Sequence, residues 1–347
     1  MKIKAVVFLI AIILLELLIR IVFSAIMGVP LFTPKEIIYR YYPMVKEIKE
    51  KYNKSDSSDV KVLILSCSTL HKEWGDFEKQ LEDSLNINAH VSIKYSVFSA
   101  AGIGFSSADF LNCYHQLDKL KFDYVIDYGG INDARLNNCP PSIFKNDYSH
   151  INWNNEVNCI MRHPEMNYFV SPFVFDYCCQ LIRQGLFNMD FIPRHYSLRL
   201  NWWQYGEDFK SLRSFRNNTE EIIRLSSRKK EDLLLVSYCY FLPNNYSLEK
   251  FKTKKLSYRF EPNSRETEIW GRPKNVTGFI DSCNKMVSEL QGKNVYFFDA
   301  NSNFSIGNHY FADVCHFSKE GMEAFTSLIS KQILSIEERK YEYQRFN

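Results

Sequence analysis

Hydrophobic and polar positions follow two patterns along this chain. Five short, nearly continuous runs of β-branched and aromatic residues predict strands that are buried on both faces. They are VKVLILS (60–66), VSIKYSVF (91–98), FDYVIDYG (122–129), DLLLVSYCYF (232–241) and NVYFFDA (294–300). Amphipathic stretches lie between these runs. The alternation of strand and helix predicts a parallel sheet with helices on both faces.

One long segment, from 137 to 207, interrupts this alternation between the third and fourth strands. It is rich in aromatic residues and too long for an ordinary crossover connection. We expect it to add helices or a cap over a functional site. The alternative is that its aromatic side chains pack only into a small core of their own.

A continuous apolar run from 5 to 28 begins the chain. At 1.5 Å per residue it reaches about 35 Å, enough to cross a hydrocarbon core of about 30 Å. Its two charged residues, Glu16 and Arg20, are four positions apart and can pair on one helix face. We interpret the run as an uncleaved transmembrane anchor. Ser24 and Ala25 leave a cleavable signal peptide as the alternative.

The charges around this run predict its orientation. Lys2 and Lys4 precede it, so the positive-inside rule predicts a cytoplasmic N-terminus and an extracytoplasmic remainder. Proline-interrupted and polar residues follow it. We therefore predict an anchor at 1–28, a stalk or linker at 29–59, and a globular domain at 60–347 that contains the cap-like insertion at about 137–207.

Composition changes this picture only by exclusion. The formal charge is +3 and no basic block is interleaved with aromatics, so nucleic-acid binding has little support. The nine cysteines contain no C-x-x-C pair, and the adjacent Cys178 and Cys179 are poorly arranged for a shared metal. We interpret most of them as small buried hydrophobic residues. No pattern predicts the oligomeric state.

Residues that can do chemistry, through a side chain or a backbone N–H, follow four of the five predicted strands. Ser68 follows the first strand, Gly104 the second, Asn132 the third, and the pair Asp313-x-x-His316 the fifth. The carboxyl ends of parallel strands form the sites of such sheets. An aspartate three residues before a histidine can hold its Nδ1–H while Nε2 faces a serine. Taken singly, each position also has a local explanation as a helix cap or a turn residue.

In this order and at these places, LSCSTL, GIGFSS, GGIND and DVCH resemble the four blocks of the SGNH (GDSL-type) hydrolase superfamily over roughly 60–335. The resemblance implies a flavodoxin-like three-layer α/β/α sandwich with a five-stranded parallel sheet. It also implies a serine esterase that needs no metal or organic cofactor. Its catalytic triad would be Ser68, His316 and Asp313. Its oxyanion hole would be formed by the Ser68 and Gly104 N–H groups and the Asn132 amide.

One block departs from the family pattern, because Ser66-Cys67-Ser68 stands where the family has Gly-Asp-Ser. Two alternatives therefore stay open beside a membrane-anchored esterase that acts on O-acyl groups of surface carbohydrate or lipid. One is an acyltransferase with the same triad, and the other is a non-catalytic binding or scaffold protein. His71 is a weaker candidate for the base. Cys67 and Cys315 each adjoin a proposed catalytic residue and could form a disulfide, or could remain two separate buried thiols.

Overall fold

The computed structural model describes residues 2–89, 93–187, 200–290, 292–304 and 308–346. The chain forms two compact units. One unit consists of 1–46 and 147–196, and the other of 47–146 and 197–347. The second unit contains the sheet and all the predicted site residues.

The sheet has five parallel strands in the order β2-β1-β3-β4-β5. This is the flavodoxin-like order, in which the order of successive strands reverses across the sheet between β1 and β3. The predicted fold class is thereby confirmed. The strands are β1 Val60–Ser66, β2 Tyr95–Ser99, β3 Tyr124–Tyr128, β4 Asp232–Val236 and β5 Val295–Phe298.

The strand bounds agree with the hydrophobic runs to different extents. β1 has the predicted bounds, and 91–92 of the second run lie outside the described residues. The fourth run was predicted to continue to 241, but β4 ends at Val236. Beyond it, the backbone N–H of Tyr238 donates to the side chain of Asn284, so the chain has left the strand ladder. Continuous apolar character therefore marks burial here rather than strand pairing.

Twelve α-helices occur in the described residues. α3 packs on β2 and against α12, while α8 packs against α4 and α10. Successive residues of β3 point to these two layers, because Tyr128 contacts Phe325 of α12 and Asp127 lines a pocket with Phe215 of α8. The helices are α1 Lys2–Met27, α2 Pro43–Lys54, α3 Phe77–Asn88, α4 Ser107–Gln116, α5 Ile131–Leu136, α6 Asn152–Arg162, α7 Ser171–Phe187, α8 Ser211–Lys229, α9 Leu248–Lys252, α10 Pro273–Glu289, α11 Ala300–Phe304 and α12 Lys319–Phe346.

The first unit contains α1, α6 and α7. Within α1, Ile3–Met27 is long and apolar enough to cross a membrane, with a mean hydropathy of 3.0, and an N-terminal signal sequence has the same properties. Glu16 and Arg20 lie 3.6 Å apart on one face of α1, as the spacing predicts. The subdivision into anchor, linker and catalytic domain stays a prediction.

Candidate active site

The end of β1 places Ser68 at the start of a short 3₁₀ turn, Ser68–Leu70. The sequence favours an α-helix directly after this strand, but two 3₁₀ turns come first and α3 begins only at Phe77. The Ser66 hydroxyl donates to the backbone carbonyl of Tyr128 at 2.9 Å. This bond ties the first block to the neighbouring strand β3, so the backbone before Ser68 is held in place.

Ser68, His316 and Asp313 form one buried hydrogen-bonded chain. The Ser68 Oγ atom lies 2.9 Å from His316 Nε2. On the other side of the ring, His316 Nδ1 lies 2.8 Å from a carboxylate oxygen of Asp313. A carboxylate only accepts hydrogen bonds, so Nδ1 carries the proton and Nε2 is the acceptor for the serine hydroxyl. The structure thus brings together residues that are 248 positions apart in the chain.

The turn that contains Asp313 explains the three-residue spacing of the pair. The carboxylate accepts the backbone N–H groups of Arg265, Cys315 and His316 at 2.8–3.0 Å. Burial by itself raises the pKa of Asp313, but the neighbouring His316 and the N–H donors of the turn hold that pKa below its usual value. Asp313 is therefore an ionised, fully oriented partner for the imidazole.

Asn132 lies in the first turn of α5, directly after Gly130 and Ile131. Its amide is fixed at both ends, because Nδ2 donates to the carbonyl of Phe105 at 2.9 Å and Oδ1 accepts from Trp270 Nε1 at 3.0 Å. The amide nitrogen carries two hydrogens. Phe105 uses one of them, and among the described residues no hydrogen bond to the second occurs.

The two glycines after β2 are required for different reasons. Gly104 has a φ of 71°, in the left-handed region that favours glycine. A Cβ at Gly102 would lie 2.3 Å from the ring of Phe105, so that position needs a hydrogen for packing alone. The Phe105 carbonyl joins this loop to Asn132. Among the described residues, no hydrogen bond links Gly104 directly to Ser68 or His316.

Two tryptophans at the site were not singled out in the sequence. Trp74 stacks on His316 with ring centroids 3.7 Å apart and ring planes at 6°. Trp270 lies 5.9 Å from the same ring in a tilted arrangement, besides its bond to Asn132. A lone tryptophan in a turn carries no local signal for such a contact. His71, the weaker candidate for the base, instead accepts the backbone N–H of Glu73 through Nδ1.

The cysteines beside the site are free thiols, as are all nine cysteines of the chain. Cys67 Sγ lies 3.3 Å from Thr69 Oγ1 and 3.6 Å from the Tyr238 hydroxyl. Cys315 Sγ lies 3.6 Å from His316 Nδ1, and burial raises the pKa of the Cys315 thiol well above its usual value. A neutral thiol there does not compete with Asp313 for the imidazole proton.

Among the residues that the structure describes, two groups of side chains have the composition of a metal site. In the larger unit, ligand atoms of Asp313, Cys315 and His316 lie within 4.8 Å of one another, but the first and last of these residues are already bonded to each other. In the smaller unit, Cys159, His163 and Asp176 form a second group. There the Arg162 guanidinium lies 2.9 Å from the Asp176 carboxylate and supplies the positive charge.

No protein-family model matches the sequence, and a search of curated proteins found no match either. Among solved structures, the chain is similar to a GDSL-like lipase from Bacteroides thetaiotaomicron, with 12% identity, a TM-score of 0.43 and coverage of 84% of this chain and 98% of the other. It is also similar to an acetyl xylan esterase, with 11% identity, a TM-score of 0.40 and coverage of 80% and 99%.

The fold that the SGNH resemblance implies is confirmed by the strand order. The first three blocks lie directly after β1, β2 and β3, whereas the fourth lies beyond β5 and α11. The likenesses to individual solved structures add nothing about activity, so the chemistry is argued from the side chains alone.

Proposed function

We propose that the chain is a serine esterase of the SGNH type, with Ser68 as the nucleophile, His316 as the base and Asp313 as its orienting carboxylate. The observation that carries the proposal is the 2.9 Å separation of Ser68 Oγ and His316 Nε2, on a ring whose Nδ1 is held by Asp313. A hydroxyl with an oriented base at this distance is the arrangement of an activated nucleophile.

The first half of the reaction acylates the enzyme. His316 Nε2 takes the Ser68 proton while Oγ attacks the ester carbonyl, and Asp313 stabilises the imidazolium that forms. The oxyanion accepts hydrogen bonds from the Ser68 and Gly104 N–H groups and from the second amide hydrogen of Asn132. The tetrahedral intermediate then collapses, the alcohol leaves with the proton from Nε2, and the acyl group stays on Oγ.

Water completes the cycle. His316 removes a proton from water as its oxygen attacks the acyl carbonyl. Ser68 leaves with that proton, and a carboxylic acid is released. Every proton transfer uses His316 Nε2, so no metal or redox partner enters the scheme.

The departure in the first block is compatible with this scheme. Cys67 stands before the nucleophile, and its sulfur contacts Thr69 and Tyr238 rather than His316. The residue there carries no proton in the proposed reaction. Its side chain therefore affects the packing beneath Ser68 and leaves the relay itself complete.

We extend the proposal to location and substrate class. An anchor at 1–28, a linker at 29–59 and an extracytoplasmic catalytic domain would present the site to acyl esters at the cell surface. We propose O-acyl groups of surface carbohydrate or lipid as substrates. Support comes from α1, whose apolar side chains between Ile3 and Ile26 are largely exposed, as in a helix that lies in lipid.

Covalent labelling tests the proposal. The full chain in detergent is treated with a fluorophosphonate probe, and we expect one adduct on Ser68 that is lost in Ser68→Ala. Ser66→Ala is the matched control, because Ser66 is also buried but bonds to the Tyr128 carbonyl and lies outside the relay.

Turnover of a short-chain nitrophenyl ester should follow the same pattern. Activity of Ser68→Ala like that of the wild type would contradict the assignment of the nucleophile. A folded wild-type chain without an adduct would instead indicate a non-catalytic protein. Release of free acid in the presence of a glycan acceptor distinguishes hydrolysis from acyl transfer.

A further inference from the structure

Four polar side chains meet between α6 and α7 in the smaller unit. Cys159 and His163 are four positions apart at the end of α6, so they project from the same side of that helix. Asp176 lies on α7, and Glu165 lies in the short 3₁₀ turn between the two helices. None of the four belongs to the proposed catalytic relay, so the cluster calls for an explanation of its own.

The ring of His163 is held between two carboxylates. Nδ1 lies 2.7 Å from a Glu165 oxygen, and Nε2 lies 3.3 Å from Asp176 Oδ2. The ring also packs edge-on against Phe173, with centroids 5.8 Å apart, which limits its rotation. A neutral imidazole carries one N–H, and the shorter contact places it on Nδ1. The Nε2 lone pair then points at an oxygen that is also an acceptor, so a proton or a metal ion between these two atoms would stabilise the arrangement.

The thiol of Cys159 favours a metal ion over a proton. Its side chain is buried, and its sulfur lies 3.5 Å from the same Asp176 oxygen. The candidate ligand atoms of Cys159, His163 and Asp176 all lie within 4.8 Å of one another. A proton on the imidazole would use only the carboxylate, whereas a metal ion would use sulfur, nitrogen and oxygen together.

The separations match a tetrahedral zinc site. Zn²⁺ binds sulfur at about 2.3 Å, and imidazole nitrogen and carboxylate oxygen at about 2.0–2.2 Å. At a tetrahedral angle these bond lengths place sulfur and oxygen about 3.6 Å apart, and nitrogen and oxygen about 3.4 Å apart. The corresponding distances in the cluster are 3.5 Å and 3.3 Å. The side chains therefore need little movement to coordinate the ion.

The surroundings also have the charge and hydrogen bonds of a metal site. A histidine ligand usually donates its other ring N–H to a carboxylate, and Glu165 accepts from His163 Nδ1 in this way. Arg162 lies 2.9 Å from Asp176 and supplies one positive charge against the two carboxylates. A zinc ion with a Cys159 thiolate would make the group neutral, since three positive charges then face three negative ones. The Asp176 side chain is 34% exposed, so the ion can enter from that side.

We propose that Cys159, His163 and Asp176 bind a zinc ion that joins α6 to α7. Binding breaks the S–H bond of Cys159, and the proton passes to solvent while the thiolate bonds to the metal. A water molecule on the exposed side would complete four ligands. The ion stabilises the insertion and takes no part in ester chemistry, so this inference is independent of the proposed esterase function.

Metal binding by the full chain in detergent tests this inference. The protein is stripped with EDTA, dialysed and titrated with Zn²⁺ against a chelating dye, and we expect one ion per chain. Co²⁺ then serves as a spectroscopic probe, because a cobalt–thiolate bond adds a charge-transfer band in the near ultraviolet. This band should be absent in Cys159→Ser. Cys178→Ser is the matched control, because Cys178 is an exposed thiol on α7.

Four further variants separate the roles within the cluster. His163→Ala and Asp176→Asn each remove a ligand, so Zn²⁺ affinity should fall by more than about 100-fold. Glu165→Gln keeps the ligands and should weaken binding by about 10- to 100-fold, as loss of an outer-shell partner does. Arg162→Ala removes a competing cation and should bind Zn²⁺ at least as tightly as the wild type.

The melting temperature supplies a second readout. Excess Zn²⁺ should raise it in the wild type and in Cys178→Ser but not in His163→Ala, because a ligand that binds only the folded state stabilises that state. The same measurement without metal shows whether each variant folds. If the ligand variants do not fold, the affinity of Glu165→Gln decides, since its side chain is 36% exposed and only the outer contact changes.

The outcomes decide the assignment. A folded wild-type chain that takes up no Zn²⁺ would overturn it. Unchanged uptake in Cys159→Ser and His163→Ala, or in Glu165→Gln, would also overturn it, because the ion would then be bound elsewhere. Uptake that is lost in Cys178→Ser would assign the ion to the exposed thiols instead. Ser68→Ala should bind Zn²⁺ like the wild type, so failure of the metal site and failure of the esterase are distinguished.

Discussion

The hydrogen bond from Trp270 to Asn132 predicts how much catalysis depends on the orientation of one amide. Trp270→Phe removes the indole N–H but keeps an aromatic ring near His316. It leaves the buried Asn132 Oδ1 without its donor at 3.0 Å. An unsatisfied buried acceptor costs about 1–3 kcal/mol. If the Asn132 amide loses the same amount of transition-state stabilisation, kcat/KM for a nitrophenyl ester decreases by about 5- to 150-fold.

A double-mutant cycle tests whether Trp270 acts through Asn132. Asn132→Ala removes one oxyanion donor, and we expect a loss of about 2.7–4 kcal/mol in transition-state stabilisation. Trp270→Phe should then have almost no further effect in the Asn132→Ala background, because there is no amide left to orient. Equal effects of Trp270→Phe in both backgrounds would refute this reasoning and indicate a direct or merely structural role.

Trp203 offers a matched control. Its Nε1 is buried and has no hydrogen-bond partner among the described residues. Trp203→Phe therefore makes the same chemical change without losing a bond, and we expect unchanged kcat/KM. The melting temperature of each variant in detergent shows whether a rate loss comes from the site or from unfolding.

Two further predictions concern the stacked ring and a buried acid. The Trp74 ring lies 3.7 Å from the His316 ring, and a cation–π contact with the imidazolium contributes about 0.5–2 kcal/mol. Trp74→Ala should therefore lower kcat by about 2- to 30-fold, and Trp74→Phe by less. Equal rates in the wild type and both variants would contradict this prediction. Burial, with a smaller effect of the nearby Asp133 carboxylate, raises the pKa of Asp127 from 3.8 to about 7. Between these two pH values the folded state keeps a proton that the unfolded state releases. The free energy of unfolding therefore falls as the pH rises from about 4 to 7, by on the order of 4 kcal/mol. Asp127→Asn should therefore melt higher than the wild type at pH 8 but not at pH 4, whereas the exposed Asp83→Asn should show no such change; parallel melting curves across pH for wild type and Asp127→Asn would refute the prediction.

The local sequence determined the secondary-structure elements and the order in which the candidate site residues follow the strands. Runs such as 60–66 are apolar at every position because both faces of a central parallel strand are covered, so composition alone identifies them. Where a run continued past the ladder, as after Val236, the same composition was misleading. Asp313 and His316 form a pair that sequence can predict, since both lie in one turn and its backbone N–H groups orient the carboxylate.

Only the tertiary structure decided which distant side chains complete the site. Trp270 is 138 positions from Asn132, and Trp74 reaches His316 from the 3₁₀ turns that follow β1. Neither contact has a periodicity or spacing that a single sequence can reveal. The same holds for α1 and α7, because apolar character marks both helices but the Glu16 contacts to Val170 and Ser171 exist only once the chain is packed. The hydrophobicity of each residue predicts whether it is buried, whereas its contact partners depend on where the folded backbone places it.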